Sequence, residues 1–229
     1  MKRILLILLA FCFVMATEAK AQDWATEVKA QDNRLYPLSY NDCKSPSLKS
    51  KYLGTFTNFA FDINPAWIAT YSCCFFDASD STIVLRKVDY DFDKSLSGRI
   101  KKLFGKAKIK AKVKEYRCPI SPQATKCFRK LFLAAINSSS FLADGLGMDG
   151  ERYRVYAERF GSIGSIVMAE CFSPSTNASN CGKLVEILYS ISDAIEQNNP
   201  QAIENLIPMA EELTERFKSL YPEKYKRKK

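Results

Sequence analysis

Four lysines in the middle of the chain alternate with small or apolar residues. They are Lys108, Lys110, Lys112 and Lys114. A repeat of two residues predicts a β-strand that carries one lysine face and one apolar face. Neighbouring ammonium groups on such a face lie about 6–7 Å apart and repel one another unless water or an anion screens them. The row is therefore either a surface that binds an anionic partner or a sheet edge whose lysines block further strand pairing.

The first 21 residues indicate where this chemistry takes place. Two basic residues, Lys2 and Arg3, precede a short apolar run, and Ala19-Lys20-Ala21 has the small-x-small pattern that signal peptidases cleave. The apolar run is shorter than the roughly 20 residues that a membrane span needs. We expect a cleaved signal peptide, no transmembrane segment after cleavage, and a periplasmic or secreted protein.

Positive charge is concentrated around the lysine row and at the end of the chain. The segment 99–117 contains nine basic residues and one acidic residue, and the segment 223–229 contains five basic and one acidic. Such asymmetry favours an acidic partner. For an exported chain we expect an anionic glycan, a lipid head group or an acidic protein, and we do not expect nucleic acid.

Seven cysteines remain after residue 21, and export favours disulfide bonds between them. Short sequence separations predict the pairs Cys171–Cys181 and Cys118–Cys127. Cys43 would then pair with Cys73 or Cys74. Because seven is odd, at least one thiol stays unpaired or bonds to another chain. Connectivity does not follow from the sequence alone, so these pairs are hypotheses.

The chain contains no histidine, which excludes hydrolases that pair a serine or cysteine nucleophile with histidine. A hydrolase would have to use two carboxylates across one cleft. The acidic residues near the glycine-rich segment that could serve are Asp144, Asp149, Glu151, Glu158 and Glu170. Since no spacing places two of them together, we expect no catalytic residues, and the hydrolase is the alternative.

Three short motifs resemble ligand sites without their structural context. D-x-S-x-S at 77–81 has the spacing of a metal-ion-dependent adhesion site, but a strand follows it where a helix should. D-x-D-x-D at 89–93 lacks the glycine and the closing acid of an EF-hand. G-x-G-x-x-G at 145–150 is not placed between a strand and a helix. We therefore predict no metal and no cofactor, and turns at the first and third motifs.

Hydrophobic periodicity predicts the order β-β-α-β-α-β-β-α-α. We expect strands at 67–76, 82–92, 106–117, 152–160 and 163–172. We expect helices at 95–104, from Ser121-Pro122 onward, at 180–196, and from 199 to about 220 with an interruption at Pro208. Because hairpins dominate, the sequence predicts an α+β fold with a mainly antiparallel sheet of about five strands covered by helices.

The predicted organisation has four parts. Residues 1–21 are the signal peptide and residues 22–65 an irregular N-terminal arm with at most one short strand near 54–61. Residues 66–222 form a single α+β domain, and residues 223–229 form a basic tail. No internal repeat or second domain is indicated.

The second half of the chain resembles small secreted proteins of unknown function from Bacteroidetes, and its N-terminal segment resembles their export signals. The shared pattern is a helix ending in small residues at 131–140, then D-G-x-x-Y at 149–153, then Ser173-Pro174, then an apolar helix from Lys183. The resemblance implies an envelope or secreted location and no particular activity.

Together these observations predict an exported, non-enzymatic binding module whose lysine row contacts an anionic partner. Two alternatives are the carboxylate hydrolase and a structural or assembly protein that contacts other chains through an unpaired cysteine or an aromatic patch.

Overall fold

One antiparallel sheet with helices packed against it organises the chain. The computed structural model describes residues 33–38, 58–64, 70–91, 110–140, 150–158, 166–174 and 176–221. Its strands are β1 (Tyr36–Leu38), β2 (Phe59–Asn64), β3 (Thr70–Asp77), β4 (Thr82–Asp91), β5 (Lys110–Pro119), β6 (Arg152–Glu158) and β7 (Ile166–Phe172). Its helices are α1 (Pro122–Asn137), α2 (Asn180–Glu196), α3 (Pro200–Glu204) and α4 (Ile207–Ser219).

The strand order in the sheet is β1-β7-β6-β2-β3-β4-β5, and every neighbouring pair is antiparallel. The predicted α+β class is confirmed, and both predicted hairpins are present as the pairs β3–β4 and β6–β7. The predicted number of about five strands is wrong, because the described sheet has seven. The two additional strands, β1 and β2, lie in the segment 22–65 that we expected to be largely irregular, and the one short strand expected there, near 54–61, overlaps the start of β2.

β2 was difficult to predict because it occupies the centre of the sheet. Its first five residues are buried, so the strand lacks the alternation of apolar and polar residues that marks a half-exposed strand. It begins directly after Asn58, whose φ of 69° lies in the left-handed region that asparagine tolerates. The sequence of β2, FAFDIN, therefore gives only a weak strand signal.

Helix α1 begins as the sequence predicts. Ser121 is its N-cap: the side-chain oxygen accepts a hydrogen bond from the Ala124 backbone N–H at 3.0 Å. Pro122 follows at the first helical position, where its missing N–H costs nothing. The buried face of α1 places Phe128 and Phe132 against the sheet, where both rings contact Phe59 edge-on.

Helices α2, α3 and α4 also follow their local signals. Ser179, the residue before the predicted helix start at 180, accepts the Gly182 N–H at 2.9 Å and caps α2. Asn199 caps the five-residue α3 through a bond from the Ala202 N–H. Pro208 lies in the first turn of α4, so the predicted interruption is present as a break between two helices.

The two faces of the sheet have different surroundings. Side chains on one face join those of α1, α2 and α4 in the main hydrophobic core. A much smaller cluster lies on the opposite face and contains Ala60, Phe75, Val84, Tyr156 and Met168. Because successive residues of a strand point to opposite faces, β2 contributes Phe59 and Phe61 to the first cluster and Ala60 to the second.

Candidate functional site

The described part of the predicted lysine row lies at an edge of the described sheet. β5 ends the strand order of the described sheet, and its neighbour on the inner side is β4. Lys112 and Lys114 are exposed on this strand. Lys110 is the first residue of β5, and Lys108 lies outside the described residues. The structure therefore agrees with the strand prediction and gives the row an edge position.

The register between β4 and β5 determines what the lysines face. Lys112 is directly opposite Asp89, so an acid of the same sheet faces that lysine. Lys114 is directly opposite Lys87, a like-charged pair that is unfavourable unless other groups compensate it. The ammonium group of Lys87 forms an ion pair with Glu196 at the end of α2. The cross-strand neighbour of Lys114 is thus a cation. The Glu196 carboxylate, which lies on the same side of the sheet, is already paired with Lys87.

The other face of β5 carries an ion-pair network that fixes the β3–β4 turn. The Arg117 guanidinium lies 3.2 Å from an oxygen of Asp77, 3.0 Å from Asp80 and 3.0 Å from Glu115. Glu115 also accepts a hydrogen bond from Arg86 at 2.8 Å. The bond from Arg86, followed by that from Arg117, lowers the pKa of Glu115.

The D-x-S-x-S segment at 77–81 is the turn that the sequence predicts. One oxygen of Asp77 accepts hydrogen bonds from the backbone N–H and the hydroxyl of Ser79, at 3.1 and 2.6 Å. The hydrogen bond from the Ser79 hydroxyl, followed by that from the Ser79 backbone N–H, lowers the pKa of Asp77. The hydrogen bond and charge of Arg117 lower it further. The two carboxylates of this turn, Asp77 and Asp80, are both paired with Arg117. Within the described ranges, no group of three or more cysteine, aspartate or glutamate side chains could hold a metal ion.

The described cysteines are buried and are not bonded to one another. They are Cys73, Cys74, Cys118, Cys127, Cys171 and Cys181. The Cys118–Cys127 and Cys171–Cys181 bonds predicted from sequence separation are not formed in the structure. Short separation in the sequence does not bring Cys118 and Cys127 together. The Cys127 thiol is directed from α1 towards the Ile207 carbonyl oxygen, which lies 3.8 Å from its Sγ. Cys43 lies outside the described residues, so its pairing stays a prediction.

Burial makes several of these thiols poor nucleophiles. Desolvation, with a smaller effect of Asp62, raises the pKa of Cys73 to about 12. Desolvation, with a smaller effect of Glu211, raises the pKa of Cys127 to about 11. Because only a thiolate attacks or binds metal, neither thiol is set up for catalysis.

The carboxylates considered for a hydrolase do not form a pair where the structure describes them. Glu151 accepts hydrogen bonds from the hydroxyls of Tyr153 and Tyr189. Glu158 accepts the Asn58 backbone N–H, at the opposite end of β6. Glu170 is opposite Arg154, four residues from Glu158, which corresponds to about 13 Å along the strand. Glu151 bonds to Tyr189 of α2 on the helix side of the sheet, whereas Glu170 binds Arg154 on the opposite face, so these two carboxylates lie on different faces. Asp144 and Asp149 lie outside the described residues.

A row of charged residues crosses the face of the sheet opposite the main core, and the sequence analysis missed it. One residue from each of six strands lies in register, in the order Glu170, Arg154, Asp62, Cys73, Arg86 and Glu115. Glu170 binds Arg154 at 3.0 Å and Arg86 binds Glu115 at 2.8 Å. The signs alternate across the row except at Cys73.

The centre of this row is deeply buried. Asp62 is only 2% exposed, and one of its oxygens accepts a hydrogen bond from the Tyr156 hydroxyl at 2.6 Å. Burial opposes the charge of Arg154, yet Asp62 and the hydrogen bond to Glu170 hold the pKa of Arg154 above its ordinary value. The row joins residues of six strands in one alignment, so its ion pairs favour this strand register.

Comparisons with known proteins give no match for this chain, whether with family models, with curated proteins or with solved structures. The resemblance to Bacteroidetes secreted proteins therefore stays a prediction. Within the described part of the chain, no helix combines the length and apolar composition needed to cross a membrane.

Proposed function

We propose that the protein is a non-enzymatic interaction module that binds an acidic, extended segment of a partner protein along the outer edge of β5. The observation that carries this proposal is the pattern of exposed residues on that ten-residue edge strand. Lys112 and Lys114 project on one face, and Val113, which is 44% exposed, projects on the other. A partner strand with the order acid, apolar residue, acid matches this pattern.

The charges next to β5 support an acidic partner. An acid opposite Lys112 would place that lysine between two carboxylates, its own Asp89 on the inner side and the partner's on the outer side. An acid opposite Lys114 would offset the like-charged neighbour Lys87. Opposite charges directly across a strand pair contribute about 0.2–1 kcal/mol each.

The strand edge supports a protein segment over the other anions considered. An added strand gains main-chain hydrogen bonds as well as charge contacts. A glycan or lipid head group can match the lysines but cannot continue the hydrogen-bond ladder. A second copy of β5 is disfavoured in the antiparallel arrangement, because it would place lysines opposite lysines.

The N-terminal segment supports a location outside the cytoplasm for this binding activity. The basic start, apolar run and small-x-small site within residues 1–21 support export to the periplasm or the cell exterior. The carboxylates of Glu151, Glu158 and Glu170 bond to different partners, and this arrangement supports a role without catalysis.

The test is the binding of a fluorescent peptide of about eight residues that alternates Glu and Val, measured by anisotropy at low and high salt. We expect salt-sensitive binding, because exposed charges are screened over about 8 Å at physiological ionic strength. Lys112→Gln combined with Lys114→Gln should weaken binding about fivefold, from two cross-strand pairs of about 0.5 kcal/mol each. Lys126→Gln combined with Lys130→Gln removes the same charge from α1 and should leave binding unchanged.

A peptide with proline in place of its central valine distinguishes strand addition from charge attraction alone. Proline cannot continue the ladder, so this peptide should bind much more weakly. Equal binding of both peptides would contradict the proposal, as would lysine-dependent binding of sulfated glycan or anionic vesicles in the absence of peptide binding.

A further inference from the structure

A second positively charged feature lies at the opposite end of β5 from Lys112 and Lys114, between helix α1 and the turn end of the sheet. It is a cavity of about 470 Å³, within the usual size range of small-molecule sites. Its apolar lining includes Phe76, Ile120 and Pro122, and its cations are Lys126, Arg129 and Lys130. The cavity is open to solvent on one side, so a ligand can enter without unfolding the chain.

One face of α1 supplies the three cations. Positions 126, 129 and 130 are three and four residues apart, so their side chains share one side of the helix. Lys126 and Lys130 are exposed, whereas Arg129 is only 8% exposed.

Arg129 is held in place by the protein itself. A terminal nitrogen of its guanidinium donates a hydrogen bond to the backbone carbonyl oxygen of Glu158 at 2.7 Å. The Glu158 carboxylate in turn accepts the Asn58 backbone N–H at 3.3 Å. Burial lowers the pKa of Arg129, which reflects the cost of keeping a cation there, and the charge of Glu158 offsets part of that cost. Among the described residues that line the cavity, the charged ones are Lys126, Arg129 and Lys130, so this lining is positively charged.

We propose that this cavity binds a small amphipathic anion: an organic sulfonate, carboxylate or phosphate whose apolar part contacts Phe76, Ile120 and Pro122. Three convergent cations select the anionic group, and the apolar walls select the body of the ligand. An inorganic anion would leave those walls in contact with water, and a neutral apolar molecule would make no charge contact with the exposed Lys126 and Lys130. This site is independent of the β5 edge and of the partner proposed there.

The test is calorimetric titration of the protein with naphthalene-2-sulfonate. We expect saturable binding at one site. The neutral analogue 2-naphthalenemethanol and sodium sulfate should each bind at least tenfold more weakly. Lys126→Gln combined with Lys130→Gln should weaken sulfonate binding about tenfold, since each charge about 6 Å away contributes roughly a factor of three in water. Both lysines are exposed, so the variant should fold normally, as its thermal melt would check.

The matched control is Lys112→Gln combined with Lys114→Gln, which removes two charges from β5. It should leave sulfonate binding unchanged while weakening the acidic peptide. No sulfonate binding, equal binding of the neutral analogue, or equal weakening by both double variants would overturn the proposal. Failure of peptide binding alone would overturn the proposed function and leave this site standing.

Discussion

Replacing Tyr156 with phenylalanine removes one buried hydrogen bond and keeps the aromatic ring. The Tyr156 hydroxyl donates to an Asp62 oxygen at 2.6 Å, and the two residues are 7% and 2% exposed. A hydrogen bond to a charged group contributes about 1.5–3 kcal/mol, and its loss leaves the buried carboxylate with one donor fewer. We expect Tyr156→Phe to lower the free energy of unfolding by about 2 kcal/mol.

A second tyrosine in the same protein provides the matched control. The Tyr189 hydroxyl also donates to a carboxylate, the Oε2 of Glu151 at 3.0 Å, but Tyr189 is 39% exposed. Water can replace that bond, so Tyr189→Phe should cost less than about 1 kcal/mol. The chemical change is identical, and the two variants differ in burial.

The assay is urea unfolding followed by far-ultraviolet circular dichroism. A cycle with Asp62→Asn measures the coupling between the two groups, which should be at least about 1 kcal/mol because they are in direct contact. Equal losses for Tyr156→Phe and Tyr189→Phe, or additive effects of Tyr156→Phe and Asp62→Asn, would refute the reasoning that burial of the charge row makes this bond strong.

Three further predictions concern packing, thiols and acid. Gly182→Ala should destabilise the protein by about 1–3 kcal/mol in a urea melt, although alanine normally favours a helix, because its Cβ would lie 2.7 Å from the Cα of Asn177. Cys73 should react with iodoacetamide at pH 8 about a thousandfold more slowly in the folded than in the unfolded protein, given a pKa of about 12 against 9.0; rapid labelling would contradict its burial. The folded-state pKa values of Asp77 and Glu115 lie below their ordinary values of 3.8 and 4.5, so their stabilisation is present above those values and lost as the pH falls through the folded-state pKa values. Arg117→Gln should reduce this acid sensitivity in melting temperatures measured below about pH 4.5, and an unchanged pH profile would argue against the network.

Local signals predicted much of the architecture. Ser121-Pro122 placed the start of α1, and Pro208 placed the break before α4, because each restricts the backbone within one turn. The two hairpins were predicted from alternation flanking turns. The short strand expected near 54–61 overlaps only the start of β2, because a strand buried on both faces between two other strands loses that alternation; the central position of β2 was not predicted.

The candidate surfaces could be predicted only in part. The lysine row could be predicted because its residues are close in the sequence and alternate with small or apolar residues. The charge row and the α1 cavity were not, because each combines residues from distant parts of the chain. Asp62 and Arg154, for example, become neighbours only through the β2–β6 register, which hydrophobic pattern alone does not fix.

The central position of β2 also determines when the sheet can be completed during synthesis. Asp62 and its partner Tyr156 on β6 are 94 residues apart, whereas β2 through β5 follow one another in chain order. Those four strands can form a meander early, but one edge of β2 stays open until β6 has been made. Pairings over such separations are slow to form, and open apolar edges are where growing chains aggregate. A chain that ends before residue 152 would therefore lack β6, and one edge of β2, the strand that contains Phe59 and Phe61, would stay unpaired. The last third of the sequence thus supplies the strand that covers an edge formed by the first third.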